Sequence, residues 1–394
     1  MNSPHRKRTC LLAVALLTGL GLTATALPAQ AAAPAPGTST GTSTIALPAD
    51  PGPDTKALAE ALQGLPDANA TAALVRVGGT GRDWHGSAGV RDLHTQAPAR
   101  EEARFRAGST TKVVTAALVL QLAAEGRVDL DAPVQRYLPD LLTPAFDPIS
   151  VRQLLTFTSG LRPGASLGPE DAEGYENRFR TLTPEEVVAE SVRQGPDAAP
   201  GERQRYGNIE YTVLGMLIEK VSGDAYEHQA LVRIFRPAGM RHTSFPDGPD
   251  PRIHGPHHRG YQLLADGRLV DATEWNMSDR WAVGNMISTT GDLERFLYAL
   301  FRGRLVPKPQ LKEMFTVPEV RTGEASMSAG LQRYPLPDKR VVWLKTGSRP
   351  GYSTGIAATE DLTRTLVYSV NSTDAKGEQV NPVVGRLQAA AFSR

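Results

Sequence analysis

The sequence predicts an α+β fold of the α/β sandwich type, in which one antiparallel sheet is built from both ends of the chain and flanked by helices. Strand-like runs cluster near the two ends, at 72–77, 83–90, 341–344, 354–358 and 365–370. The region between them, roughly 130–305, shows mainly helical patterns joined by Pro- and Gly-rich loops. Because the late strands are joined by short connections, we expect antiparallel order, with a mostly helical subdomain inserted beside the sheet.

Each predicted element has its own local signal. Leucines at helical spacing predict a short amphipathic helix that opens the folded region near Lys56. The run Gly78–Gly81 has the composition of a hairpin turn between the first two strands. Residues 109–126 are apolar on nearly every side of a helix, so they predict a buried central helix. Further helices are predicted at 151–156, 184–192, 211–221 and 380–392.

The first 31 residues predict export. A basic start is followed by an apolar stretch at 11–27 and by the small-residue site Ala29-Gln30-Ala31, which is the layout of a secretory signal peptide cleaved near Ala31. Residues 32–55 are rich in Ala, Pro, Gly, Ser and Thr, a composition that predicts a flexible leader. We therefore expect a secreted protein whose folded domain spans 56–394.

Composition argues against several classes of function. The only cysteine, Cys10, lies inside the predicted signal, so we expect neither a disulfide nor a cysteine nucleophile in the mature chain. A formal net charge of +1 over 394 residues argues against nucleic acid as a partner. No stretch after the signal is apolar enough to span a bilayer. We expect no cofactor, no metal and no membrane association after cleavage, and a monomer.

Ser109 and Lys112 are the first candidate catalytic residues. At spacing i, i+3 at the start of the central helix, their side chains emerge on the same face within reach of each other. The helix behind them is apolar, which leaves the lysine little water to face. A buried lysine near the positive end of a helix can lose its proton and act as a base toward the serine.

Two further motifs add polar groups. Tyr206 and Asn208 lie two residues apart in a loop, where a phenol and an amide can project to one side as proton carrier and hydrogen-bonding group. Lys345, Thr346 and Gly347 follow a strand-like run and offer a cation, a hydroxyl and room for a substrate backbone. Such a strand edge predicts binding of an extended peptide that ends in a carboxylate.

The order of the three motifs resembles that of the penicillin-recognising serine enzymes, the family of class C β-lactamases, serine D-alanyl-D-alanine carboxypeptidases and related esterases. The similarity extends over about residues 57–390. Supporting runs are FRAGSTTK (105–112), DAPVQRYLPDL (131–141), VRQLLTFTSGL (151–161), PGERQRYGN (200–208), GMLIEKVSG (215–223), IFRPAGM (234–240), STTGDLERF (288–296) and KTGSRPGYS (345–353). The resemblance implies the β-lactamase/transpeptidase-like fold.

The resemblance also implies roles for individual residues. Ser109 would be the nucleophile and Lys112 its proton acceptor, while Tyr206 would carry the proton to the leaving group. Asn208 would bind the amide side of the acyl group. Lys345 and Thr346 would bind the substrate carboxylate beside Gly347. Backbone N–H groups of Ser109 and Ser348 would form the oxyanion hole.

Two departures bear on the expected activity. Phe157 stands where many relatives have histidine, and Lys345 is shared with β-lactamases whereas many carboxypeptidases and esterases carry histidine there. We expect a secreted D-Ala-D-Ala carboxypeptidase acting on peptidoglycan-type peptides and reacting with β-lactams. A class C-like β-lactamase or an esterase of the same fold is an alternative. A protein that binds β-lactams without turnover is a third possibility.

Other chemistries are less well supported. Ser353 lies in a G-x-S-x-G pattern typical of α/β-hydrolases, but that fold needs a histidine downstream, and the last histidine is His258. His254, His257 and His258 lie in a Pro/Gly loop without metal-ligand spacing, so we expect them to be solvated or to pack against the loop.

Overall fold

The computed structural model describes residues 52–168, 172–377 and 379–393. The predicted signal at 1–31 and nearly all of the predicted leader lie outside the described residues. The first helix begins at Thr55, one residue before the predicted start. Asp54 caps it, because its Oδ1 accepts a hydrogen bond from Ala57 N at 2.9 Å.

The main sheet has six strands in the order β2-β1-β10-β9-β8-β7, and every pairing is antiparallel. The N-terminal strand β1 therefore pairs directly with the C-terminal strand β10, and the predicted α+β class is confirmed. The strands are β1 (Ala70–Gly79), β2 (Trp84–Gly89), β3 (Phe105–Arg106), β4 (Tyr261–Leu263), β5 (Leu269–Asp271), β6 (Ile287–Ser288), β7 (Gln332–Pro335), β8 (Val341–Arg349), β9 (Tyr352–Thr359) and β10 (Arg364–Ser372).

All five predicted strands are present in this sheet, but several short strands carry no sequence signal. Strand β7 is half-exposed to exposed and polar, so it has neither the apolar alternation nor the β-branched residues that identify a strand. The pairs β3/β6 and β4/β5 have only two or three residues per strand. A pattern with a period of two residues cannot be recognised over so short a run.

The helices divide between the two faces of the sheet. They are α1 (Thr55–Ala61), α2 (Thr111–Ala124), α3 (Val151–Leu155), α4 (Ala172–Glu176), α5 (Pro184–Arg193), α6 (Ile209–Ser222), α7 (Tyr226–Ala230), α8 (Arg236–Ala238), α9 (Thr290–Phe301), α10 (Lys308–Leu311) and α11 (Pro382–Phe392). Helices α1 and α11 pack on one face, and α9 packs on the other with the rest of the helical region. No helix in the described ranges is long and apolar enough to cross a membrane.

Alternate residues along the strands enter two separate cores. In β10, Leu366 and Tyr368 pack with α1 and α11, whereas Val367 between them packs with α2 and the other helices. Both faces of this strand are therefore buried, which explains the uninterrupted apolar run Leu366-Val367-Tyr368 at its centre. The sheet is the middle layer between two helical layers.

Helix α2 lies at the centre of the larger core. Its side chains from Thr111 to Leu120 are all buried, including those of Lys112 and Thr115. Helices α6, α7 and α10 pack around it, so from Thr111 to Leu120 it has no solvent-exposed face, as its uniform composition predicts, and Ala124 in its last turn is exposed. The helix that carries the first catalytic motif is thus held on all sides.

We predict that Leu118→Ala destabilises the protein by about 2–5 kcal/mol, because Leu118 is 0% exposed and the surrounding helices cannot close the resulting cavity. Leu269→Ala is the matched control: the same change at a position that is 47% exposed should alter stability by less than about 0.5 kcal/mol. Urea unfolding of both variants measures the difference. Equal effects would contradict the central position of α2.

Candidate active site

The catalytic serine candidate follows a glycine that lies against the backbone of β8. Gly108 has φ +54°, and a Cβ there would meet Ser348 N of β8 at 2.6 Å. Only glycine fits both that conformation and that approach. The 3₁₀ turn Gly108–Thr110 then continues into α2, and it leaves Ser109 partly exposed between buried neighbours. Ser109 is therefore the accessible group at the start of a buried helix.

Lys112 makes three contacts through Nζ. It lies 3.2 Å from Ser109 Oγ, 2.7 Å from Asn208 Oδ1 and 3.2 Å from the carbonyl oxygen of Val283. The latter two atoms can only accept hydrogen bonds. A neutral amine has two N–H groups, which these acceptors would use, so its lone pair would face the serine hydroxyl. The arrangement suits a base that removes the proton from Ser109.

The charge state of Lys112 is determined by its surroundings. Its side chain is fully buried, and desolvation is the largest cause of a pKa held well below the ordinary lysine value. Nearby positive charges, those of Lys345, Arg280 and Lys376, lower this pKa further. Glu210 is the group that opposes them and raises it. The amine is therefore biased toward its neutral, basic form.

Tyr206 lies between the two lysines. Its ring centroid is 5.0 Å from Lys112 Nζ and 4.7 Å from Lys345 Nζ, and it packs against Phe157 at 4.9 Å. Burial raises the pKa of the phenol, while its contact with the Ser109 side chain lowers it. The buried Oη makes no hydrogen bond of regular geometry with a described residue. The phenol is thus protonated and placed beside the nucleophile, as a proton carrier requires.

Lys345, Thr346, Gly347 and Ser348 lie within β8, which continues through the predicted motif to Arg349. Strand β7 pairs with β8 only as far as Leu344. Among the described residues, β8 is therefore an internal strand over its first part and an open edge beside the motif. An open edge can add an extended peptide as a further strand.

The motif residues face different surroundings. Lys345 Nζ donates to the carbonyl of Thr346 at 2.7 Å, and burial lowers the lysine pKa to about 7. Thr346 is half-buried, and Ser348 Oγ donates to the carbonyl of Ala375. The structure thus brings the lysine of this motif next to the Tyr206 ring and within electrostatic range of Lys112.

Gly347 meets the protein's own backbone. A Cβ at this position would come 2.1 Å from the carbonyl oxygen of Ala107 and 3.0 Å from Ser109 N. The glycine thus permits β8 to approach the start of α2, and its predicted contact with a substrate stays a prediction. The same approach puts the N–H-bearing residues Ser109 and Ser348 on facing segments, which is the requirement for a two-donor oxyanion hole.

Hydrogen bonds to the segment around Phe157 hold the loop that carries Tyr206. Arg205 N donates to the carbonyl of Phe157 at 2.9 Å, and Tyr211 Oη donates to the carbonyl of Leu155 at 2.8 Å. Phe157, which the resemblance places where many relatives have histidine, has φ +59° and lies between the rings of Tyr206 and Tyr211. At this position the chain substitutes aromatic packing for a titratable side chain.

Four residues of the site escaped sequence reasoning: Glu210, Arg280, Val283 and Lys376. Val283 acts through its backbone carbonyl, which no side-chain pattern can reveal. Arg280 and Lys376 are ordinary surface residue types in sequence, and only the fold brings them near Lys112. Glu210 did leave a signal, since an acidic residue within the apolar start of α6 is unusual.

The alternative sites have structural explanations. Ser353 is in β9, in a hairpin with β8, so the strand-turn-helix of a hydrolase elbow is absent from this described segment. His258 is buried, with Nε2 accepting from Arg100 N at 2.9 Å and Nδ1 3.0 Å from Asn371 Oδ1. His254 and His257 bind Asp250 and the carbonyl of Gly255. His258 thus packs inside the protein, whereas His254 is exposed and His257 is half-buried, and both bond within their own loop.

Comparison with known proteins agrees with this geometry. The model of the beta-lactamase family matches residues 56–390. The chain belongs to the beta-lactamase family. A D-stereospecific amidohydrolase from a Streptomyces species is 31% identical in sequence, with a TM-score of 0.76 over 86% of this chain and 99% of that one. This protein is accordingly a serine hydrolase of the β-lactamase fold.

Other relatives in the β-lactamase family have varied names. D-amino acid amidase from Ochrobactrum anthropi SV3 superposes with a TM-score of 0.72 and 26% identity over 85% of this chain and 98% of that one. The putative penicillin-binding protein PbpX of Bacillus subtilis is 27% identical over 288 residues, which are 72% of this chain and 66% of PbpX. The chain spans about two thirds or less of the curated relatives that it matches first.

We predict that Lys112→Met lowers the rate of serine acylation by about 10²–10⁴-fold, because it removes the amine while retaining an unbranched side chain in the same buried space. Lys220→Met, on the exposed side of α6, is the control and should acylate normally. Stopped-flow labelling with a fluorescent penicillin measures both rates. An unchanged rate in a folded Lys112→Met protein would reject Lys112 as the base.

Proposed function

We propose that this enzyme is a secreted D-Ala-D-Ala carboxypeptidase that works through an acyl-enzyme on Ser109. The observation that carries the proposal is the placement of a buried amine, Lys112 Nζ, 3.2 Å from Ser109 Oγ with two acceptor oxygens on its other sides. This geometry supports proton removal from the serine. The open edge of β8 beside Lys345 supports a peptide substrate that ends in a carboxylate.

The proposed reaction has two halves. Lys112 takes the hydroxyl proton as Ser109 Oγ bonds to the substrate carbonyl carbon, and the oxyanion accepts hydrogen bonds from the N–H groups of Ser109 and Ser348. The C–N bond then breaks, and the leaving nitrogen receives a proton by way of Tyr206. Water adds to the ester in the second half, the C–Oγ bond breaks, and Ser109 regains its proton.

The charges around the site favour an anionic substrate. Lys345, Arg280 and Lys376 all act on Lys112 as positive charges, against the negative charge of Glu210, so cations outnumber anions among these groups. A carboxylate at the end of the substrate would pair with Lys345, whose own desolvation cost is then offset by the ion pair. Polar contacts of Thr346 and Asn208 would orient the two ends of the substrate, as the family resemblance implies.

A second candidate is hydrolysis of D-amino acid amides or esters. The observation that favours it is the similarity to a D-stereospecific amidohydrolase and a D-amino acid amidase over nearly their whole lengths. Both candidates share the acyl-enzyme chemistry and D-configured acyl donors. They differ in the leaving group beyond the scissile bond, because a carboxypeptidase substrate carries a carboxylate there and an amide substrate does not.

We predict that an N-acylated peptide ending in D-Ala-D-Ala is cleaved with a kcat/KM at least about tenfold above that of the same peptide with an amidated C-terminus, because only the former can pair with Lys345. Chromatography of the released D-alanine from the first peptide and D-alanine amide from the second measures the two reactions, with the L-Ala-L-Ala peptide as the stereochemical control. Faster cleavage of the amidated peptide, or of a free D-amino acid amide, would favour the second candidate.

Ser109→Ala should release no D-alanine and take no label from a fluorescent penicillin; label on that variant would contradict the acyl-enzyme. A chromogenic cephalosporin identifies the β-lactamase alternative by rapid turnover without D-alanine release. Label that persists while every substrate stays intact identifies the β-lactam-binding alternative. Secretion rests on the predicted signal, and detection of the chain cut near Ala31 in culture medium tests it.

We predict that the KM for the carboxylate-ended peptide rises as pH increases through about 7, by up to roughly tenfold per pH unit. The pKa of Lys345 is lowered to about 7, so its charge is present below that pH and lost above it. The KM of the amidated peptide is the control, because it shares Lys112 and Ser109 but has no carboxylate. Identical pH dependence for the two peptides would contradict the role of Lys345.

A further inference from the structure

Glu210 is the buried acid of the catalytic region. Its side chain is in the first turn of α6, two residues after Asn208, and it is only 3% exposed. Oε1 accepts a hydrogen bond from Ser159 Oγ at 3.0 Å. Oε2 is buried and has no hydrogen-bond partner among the described residues. An unpaired buried carboxyl oxygen is costly, so its retention calls for an explanation.

Gly207 shows where this carboxyl group lies. A Cβ on Gly207 would come 2.7 Å from Glu210 Oε2. The φ angle of Gly207 is outside the left-handed region, so its backbone conformation does not require glycine. A Cβ there would instead have to displace the Glu210 carboxyl group. The acid is therefore lodged directly behind the peptide backbone that joins Tyr206 to Asn208.

Glu210 also opposes the charges around the base. Three cations lower the pKa of Lys112, and Glu210 raises it. In turn, burial raises the pKa of Glu210 to about 7, while hydrogen bonds from its own backbone N–H and from Ser159 lower it, as do the charges of Lys112 and Arg205. The charged and titratable groups that act on Glu210 or on Lys112 are Lys112, Arg205, Tyr206, Tyr211, Arg280, Lys345 and Lys376.

We propose that Glu210 is a positioning residue: its carboxyl group, bonded to Ser159 and lodged behind Gly207, fixes the Tyr206–Asn208 turn against Lys112 and controls the protonation of that amine. An ionised Glu210 stabilises the ammonium form of Lys112 and so delays formation of the base as pH rises. A protonated Glu210 removes this effect. The proposal rests on the proposed acyl-enzyme and adds a pH control to it.

The test is the pH profile of acylation in Glu210→Gln. Glutamine keeps the shape and the acceptor for Ser159 but has no charge, so Lys112 should lose its proton at lower pH. At a pH on the acidic limb at which wild-type Glu210 is ionised, which its pKa of about 7 places near neutrality or above, the rate divided by its own plateau should rise about threefold to tenfold over the wild-type value. Glu219→Gln, the same change farther along α6, is the control and should leave the pH of the acidic limb unchanged.

Each outcome decides between explanations. If Glu210→Gln lowers the plateau rate of acylation while the acidic limb stays at the same pH, the role of Glu210 is purely structural and the proposed pH control is wrong. A double-mutant cycle tests whether the Glu210 carboxyl group lies against Gly207. Gly207→Ala should lower the acylation rate severalfold in the wild type but cause little further loss in a Glu210→Ala background. Additive losses of acylation rate in the double variant would contradict a contact between Gly207 and Glu210. Label on Ser109→Ala would instead reject the acyl-enzyme itself, so the two failures are distinguishable.

Discussion

The proposed catalytic centre depends on one amine that is shielded from water and correctly hydrogen-bonded. Lys112 is enclosed in the larger core, and its two fixed acceptors come from Asn208 at the start of α6 and from Val283 in the segment before β6. Burial makes the amine a base, and the two carbonyls direct its lone pair toward Ser109. Neither effect would be sufficient alone. An exposed lysine stays protonated, and a neutral amine without fixed acceptors would not keep its lone pair directed at the Ser109 hydroxyl.

This dependence explains why the site lies between the sheet and the helical region. The nucleophile is held on the sheet side, where Ala107 accepts from Thr354 Oγ1 at 2.8 Å and Gly347 lets β8 come against the turn at Gly108. The base and the phenol are held on the helical side, by α6 and by the loop that contains Phe157. The reacting atoms meet only when both halves are folded and packed together.

The same arrangement shows what could be predicted from the sequence. The strong patterns identified the long elements, including β1, β8 to β10 and α2, because each has a continuous apolar run. The Ser109/Lys112 pair was recognisable since one helix turn alone brings the two side chains together. Residues whose role arises from tertiary contacts were not: Val283 contributes a backbone atom, and Arg280 and Lys376 reach the site from distant segments. Gly347 was recognised, but its contact is with the chain's own backbone at Ala107.

The proposed mechanism requires opposite charge states of its two lysines, and Lys345 helps to set the charge state of Lys112. Lys345 must be charged to pair with a carboxylate, whereas Lys112 must be neutral to accept a proton from Ser109. Because the positive charge of Lys345 lowers the pKa of Lys112, protonation of the first favours the basic form of the second. A substrate carboxylate would stabilise the charge on Lys345 and form a pair of no net charge beside Lys112. Binding and proton removal would then proceed in the same protonation state of the enzyme, with no proton transfer between the lysines.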